Sequence, residues 1–182
     1  MNSPNEEEIS VFSEKLNRLW REQKINEAKN LLLSEVERYP NEYFLWTSLA
    51  QTCSRLGEYD SALEFSKKAI MICDDDVLVL YNHVTALIET ESYRDALPFC
   101  EQILAKDIES IAQNGEGIRW AKSIRNDTQY MKAVVLYHLG EFAHAVLVLK
   151  QLLGMRERGV YSDFTKRQIL RKIKAIEDLS NM

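Results

Sequence analysis

Apolar residues recur at three- and four-residue steps along most of the chain, the spacing of helices that bury one face. In residues 56–70, LGEYDSALEFSKKAI, the pattern is interrupted by Gly57, and a glycine inside a helix costs about 1 kcal/mol relative to alanine. The interruption is accounted for if Gly57 is the turn of a helical hairpin, where its left-handed conformation ends the first helix without a steric penalty. A second copy, LGEFAHAVLVLKQLL at 139–153, repeats Leu-Gly-Glu, an aromatic residue and Ala at the same offsets, with Gly140 in the glycine position. Small residues in the first helix (Ala50, Ala133) and in the second (Ala62, Ala96, Ala145) then let the paired backbones approach closely.

From Tyr43 to Asp76, the residues Trp46, Leu49, Ala50, Gly57, Tyr59, Ala62 and Ala69 stand at the spacings of the tetratricopeptide repeat, which this unit resembles. A step of 34 residues back meets Phe12, Leu16, Leu19, Ala28 and Leu32, with Pro40 where that family has its closing proline. A step forward meets Leu80, Val84, Leu87, Tyr93, Ala96 and Ile103, with Glu91 in place of the glycine. A fourth unit (Ala133, Leu136, Gly140, Phe142, Ala145, Leu149, Leu152) comes 15 residues late. The resemblance implies an all-α fold, a right-handed α-solenoid of helical hairpins with a C-terminal capping helix. The expected organisation is a single domain over 1–182, with repeats at about 9–42, 43–76, 77–110 and 126–159, an insertion at about 111–125 and a capping helix at about 163–180.

The ends fit a stack that must be sealed. Ser3-Pro4-Asn5-Glu6 has capping-box spacing with proline at the first helical position. Phe164, Ile169, Ile173, Ile176 and Leu179 fall near one stripe of the last helix, with Lys166, Arg167, Lys172 and Lys174 facing outward. Two features depart from the pattern. Pro98 lies in the second helix of repeat three, which is expected to begin near Asp95 or to bend. Asn114-Gly115-Glu116-Gly117 is a turn signal that separates a lengthened second helix of repeat three from a long first helix of repeat four.

Composition adds exclusions. At 182 residues and 46% apolar the chain can bury a real core. Its apolar runs, such as AVVLY at 133–137, are far shorter than the roughly 18 residues of a membrane span, and its acidic start does not fit a signal peptide. A cytoplasmic protein without membrane insertion is therefore expected. Cys53, Cys73 and Cys100 form no CxxC pair, and small buried thiols are the expected outcome. Residues 1–149 carry 15 Lys+Arg against 24 Asp+Glu, while 150–182 carry 8 against 4. The basic tail could meet an acidic partner or nucleic acid; a solvated helix face is the plainer account, and nucleic acid is not the expected partner.

No catalytic constellation is present in the sequence. His83, His138 and His144 form no HExxH or HxxxH pair, and neither GxxxxGK[ST], GxGxxG nor GxSxG occurs. Asp74-Asp75-Asp76 is expected to cap a helix rather than bind metal. No catalytic residue, metal, cofactor or small-molecule substrate is implied.

What the resemblance implies instead is a concave groove lined by the first helix of each hairpin. The carried-over partner-binding positions are Asn17 and Trp20; Phe44, Gln51 and Arg55; Leu78, Tyr81 and Ile88; and Tyr130, Val134 and Tyr137. Arg21, Glu89 and His138 fall on the same face. The Lys, Asn and Arg set with which some family members grip chaperone C-termini is not reproduced: Asn17 matches, but Ser13, Ser48, Leu78 and Asn82 stand elsewhere in it. The expected function is a non-catalytic adaptor or chaperone that binds a protein or peptide with an apolar segment in this groove. The alternative is a structural or regulatory subunit that works through its convex or basic C-terminal surface. A filled groove, with the insertion or the C-terminal helix folded over Tyr81 and Tyr130, is also open at this point.

Overall fold

Ten helices follow one another in the computed structural model, which describes residues 6–113, 115, 117–157 and 159–180. They are α1 (Glu6–Arg21), α2 (Ile25–Arg38), α3 (Tyr43–Leu56), α4 (Tyr59–Ile72), α5 (Val77–Glu89), α6 (Tyr93–Ala105), α7 (Ile108–Gln113), α8 (Ile118–His138), α9 (Phe142–Met155) and α10 (Lys166–Ser180). No strand occurs among the described residues. The chain divides into two compact units, 1–90 and 91–182. The capping box at Ser3-Pro4-Asn5 lies outside the described residues.

The repeat is written in the backbone. Gln23 (φ 59°), Gly57 (φ 75°) and Glu91 (φ 57°) are left-handed at 34-residue intervals, and Gly140 (φ 83°) follows 15 residues late. At Gly57 the turn closes with Gly57 N–H donating to Ser54 O (3.0 Å) and Glu58 N–H to Cys53 O (3.0 Å), the paired bonds that satisfy a helix's last carbonyls. Gly140 N–H to Tyr137 O (3.1 Å) and Glu141 N–H to Leu136 O (2.8 Å) repeat the motif, as do Gln23 N–H to Trp20 O (3.2 Å) and Lys24 N–H to Leu19 O (2.9 Å). The close-approach alanines obey the same step: Ala28, Ala62, Ala96 and Ala145 are all 0% exposed.

In the first unit, Leu16 and Leu19 of α1, Leu32 and Val36 of α2, and Leu45, Leu49 and Cys53 of α3 form one cluster. Pro40 holds the turn into α3, its carbonyl accepting from Trp46 Nε1 at 2.7 Å. Asp76 caps α5, accepting from the N–H groups of Leu78 (2.8 Å) and Val79 (3.1 Å). Cys53 and Cys100 are fully buried, whereas Cys73 is half-buried.

In the second unit, α8 and α9 enclose Ala133, Leu136, Leu149 and Leu152, and α10 lays Ile169, Ile173 and Ile176 against them. Thr165 and Gln168 cap α10 reciprocally, Thr165 N–H donating to Gln168 Oε1 (2.7 Å) and Gln168 N–H to Thr165 Oγ1 (3.2 Å), a T-x-x-Q capping box.

Pro98 lies inside α6, which begins at Tyr93, two residues from Asp95. Three expectations change. The second helix of repeat three is not lengthened: α6 stops at Ala105 and a separate α7 follows before α8 begins at Ile118. The stripe on α10 is shorter than expected, since Phe164 precedes the helix and Leu179 is 49% exposed. Lys172 does not face outward; it is half-buried, with Nζ 4.2 Å from the centroid of the Tyr137 ring.

Candidate partner-binding surface

The first helices of unit one bring several carried-over residues to one place. Asn17 and Trp20 lie one turn apart on α1, and Arg55 is in the last turn of α3. Together with Arg21 and Gln23 they line an open hollow of about 590 Å³. Trp20 is fixed across the helix pair, its Nε1 donating to Thr52 Oγ1 at 3.2 Å, and Thr52 in turn donates to Ser48 O at 2.7 Å. Arg55 lies over the indole with its guanidinium carbon 5.0 Å from the ring centroid, a cation–π arrangement. Arg21 Nε donates to Asn17 O at 3.4 Å.

Other carried-over positions go elsewhere. Phe44 is half-buried, meets Phe12 edge-on with ring centroids 6.4 Å apart, and lines a second hollow of about 410 Å³ with Val11, Phe12, Leu31 and Tyr39. Gln51, Tyr81 and Ile88 are half-buried, and Leu78, in the first turn of α5, is 42% exposed. Glu89 accepts from Ser54 Oγ at 2.5 Å, and burial pushes its carboxyl up.

In the second unit the aromatic positions have partners within the chain. Tyr130 stacks on Phe164 with centroids 3.9 Å apart, so the segment after α9 lies on the ring. Tyr137 is flanked by His138, Phe142 and Lys172, and Val134 is half-buried. His138 stacks on Tyr93 at 4.1 Å, and burial first, then Lys172, lowers its pKa.

A polar anchor escaped the sequence reading. Asp127 of α8 is 3% exposed and accepts from Ser162 Oγ and from Asp163 N–H at 3.2 Å. Burial pushes its carboxyl up to about 6, against the hydrogen bonds from Ser162 and Asp163. Arg156 donates to Phe164 O. The bonds to Asp127 tie Ser162 and Asp163 to α8, next to Phe164 on Tyr130. An Asp at this point of a helical pattern is indistinguishable from a surface charge until its partner, 35 residues away, is placed. Gln23 and Thr52 were missed for related reasons: Gln23 adopts glycine's conformation without being glycine, and Thr52 matters only through Trp20.

Among the described residues no group of three or more His, Cys, Asp or Glu could hold a metal ion, and no helix is long and apolar enough to cross a membrane.

The family model for the tetratricopeptide repeat matches residues 45–76. No curated protein sequence matches the chain. Among solved structures, MamA of Desulfovibrio magneticus RS-1 superposes with a TM-score of 0.72 at 12% identity, covering 94% of this chain and 85% of that one. MamA of MSR-1 gives 0.69 at 16% identity, with coverage of 94% and 86%. A tetratricopeptide repeat protein from Parabacteroides merdae ATCC 43184 gives 0.51 at 15% identity, with coverage of 96% and 74%. The chain carries a tetratricopeptide repeat at residues 45–76 within an all-α fold of the helical-hairpin solenoid class that it shares with solved tetratricopeptide-repeat proteins.

Proposed function

We propose that this chain is a non-catalytic protein–protein interaction module whose working surface is the first-helix face of unit one, where it takes a segment of a partner polypeptide. The observation that carries the reading is the convergence of Asn17, Trp20 and Arg55, chosen by repeat offset alone, on one open hollow with Arg21 and Gln23. A half-buried indole held by Thr52, with polar side chains around it, is the kind of anchor on which interfaces concentrate their energy. The repeat architecture supports the same reading, since helical hairpins stack into extended binding surfaces.

The test is site-specific photocrosslinking in a native extract, with the crosslinker at Gln51 on α3 or at Lys67 on α4. A discrete adduct from position 51 and none from position 67 is the expected outcome. Adducts from position 67 alone would move the working surface to the second helices.

The assembly-subunit alternative would use α10. One of its basic residues, Lys172, is engaged in packing on Tyr137, which leaves Lys166, Arg167, Arg171 and Lys174 exposed.

A further inference from the structure

Unit one is strongly acidic: residues 1–90 hold 9 Lys+Arg against 16 Asp+Glu. Four of its cations are paired with carboxylates, in Lys24–Glu22, Lys29–Glu58, Arg38–Glu8 and Lys68–Glu64. Arg21 and Arg55, the two cations of the Trp20 hollow, form no ion pair among the described residues. Glu22 is paired with Lys24 at 2.8 Å, and Glu89 accepts from Ser54 at 2.5 Å. Two guanidinium groups without an ion-pair partner among the described residues, that of Arg55 over the indole, share the hollow with the amides of Asn17 and Gln23 and make it cationic and donor-rich in an otherwise negative unit; Arg21 also acts on the Glu22 carboxyl, behind Lys24.

From this charge complementarity we infer that the hollow recognises carboxylate side chains of an acidic segment within a partner polypeptide, held by Arg21 and Arg55 while a neighbouring apolar residue of that segment packs on Trp20. Guanidinium suits the task because its planar fork meets a carboxylate with two parallel N–H···O bonds. Arg55 already lies over the indole, so less of its side-chain freedom is lost on binding. Nucleic acid fits the surface poorly. A phosphate backbone needs a run of cations to release its counterions, and two arginines amid a surplus of acids would leave most phosphates facing like charge.

The inference rests on the proposed first-helix binding face and names what that face selects. Its test uses the full chain and capped, C-terminally amidated ten-residue peptides in which two Glu flank one Leu or Phe, beside counterparts with Gln for Glu. Binding is followed by the Trp20 indole N–H resonance, assigned through Trp20→Phe. The Glu peptides are expected to shift that resonance and to bind at least tenfold more tightly than the Gln counterparts. Arg21→Gln with Arg55→Gln should abolish the preference while leaving the helical circular dichroism intact, and Arg55→Lys should keep only part of it. Equal binding of Glu and Gln peptides at Trp20 would overturn the acidic specificity and leave the binding face standing. No shift of Trp20 with any peptide at millimolar concentration would overturn the acidic inference, and the crosslinking at Gln51 then decides whether the face itself survives. Two further results would also overturn it: binding that requires a free C-terminal carboxylate, or stronger displacement by a 12-nucleotide single strand than by the Glu peptide.

Discussion

Four left-handed residues hold the hairpin turns, and they differ in what they spend to do so. Gly57 and Gly140 adopt positive φ freely, and a Cβ added at either would meet nothing within 4 Å, so replacing them carries a conformational penalty and no clash. Gly57→Val and Gly140→Val should each lower stability by more than about 1 kcal/mol, seen as a shifted thermal midpoint. Gln23 and Glu91 carry the same strain natively, so Gln23→Gly should raise stability by a few tenths to about 1 kcal/mol; a loss would mean that the Gln23 side chain contributes more to the turn than its backbone costs. Glycine made two turns visible in the sequence, and the 34-residue step located Glu91. The same step back from Gly57 reaches Gln23, whose chemistry alone does not announce the left-handed region.

Asp127 gives a pH signature. Its carboxyl is raised in the folded chain to about 6 from 3.8, so between those values the native state holds a proton that the unfolded chain has released. Stability from this group is therefore full below about pH 4, falls as pH rises toward 6, and stays low above it. Asp127→Asn keeps an acceptor for Ser162 and Asp163 without the buried charge. It should be more stable than the parent at about pH 7.5, with the advantage gone near pH 4. Urea midpoints at the two pH values measure this, and an advantage independent of pH would contradict the assignment.

At the scale of elements, α10 and the segment before it close the second unit. Ile169 and Ile176 are 0% exposed against α8 and α9, and cutting Ile176 to Ala should cost about 2 to 4 kcal/mol through lost burial and a residual cavity. Deleting 163–182 uncovers Leu149 and Leu152 and should cause aggregation, measured by light scattering; a monomeric truncation would show that α10 is dispensable to the core. The amphipathic spacing of α10 was legible, because three isoleucines on one stripe admit few other uses. The packing of Lys172 was not, since a lysine's aliphatic stem can bury against an aromatic ring while sequence patterning counts only its charge. The course of the chain between α6 and α8 was likewise misread. Lys106 and Asp107 separate α6 from α7 without glycine or proline, whereas the conspicuous Pro98 lies inside α6.

At the scale of the molecule, the two units use their first-helix aromatics differently. In unit two, Tyr130 and Tyr137 are engaged by Phe164, Phe142 and Lys172, while in unit one Trp20 fronts an open hollow with Arg21 and Arg55, which form no ion pair among the described residues. The repeat offsets named Asn17, Trp20 and Arg55, which line this hollow, because stacked hairpins present the same register on the same face. They could not distinguish an open position from one covered by a later segment, since that depends on long-range placement of residues 156–164. The most direct test of the binding face is amide hydrogen exchange of the full chain with and without its crosslinked partner, isolated through position 51. The account predicts slowed exchange concentrated in residues 17–23 and 51–56, with α10 unchanged. Protection confined to α10, with α1 and α3 exchanging as in the free chain, would contradict it.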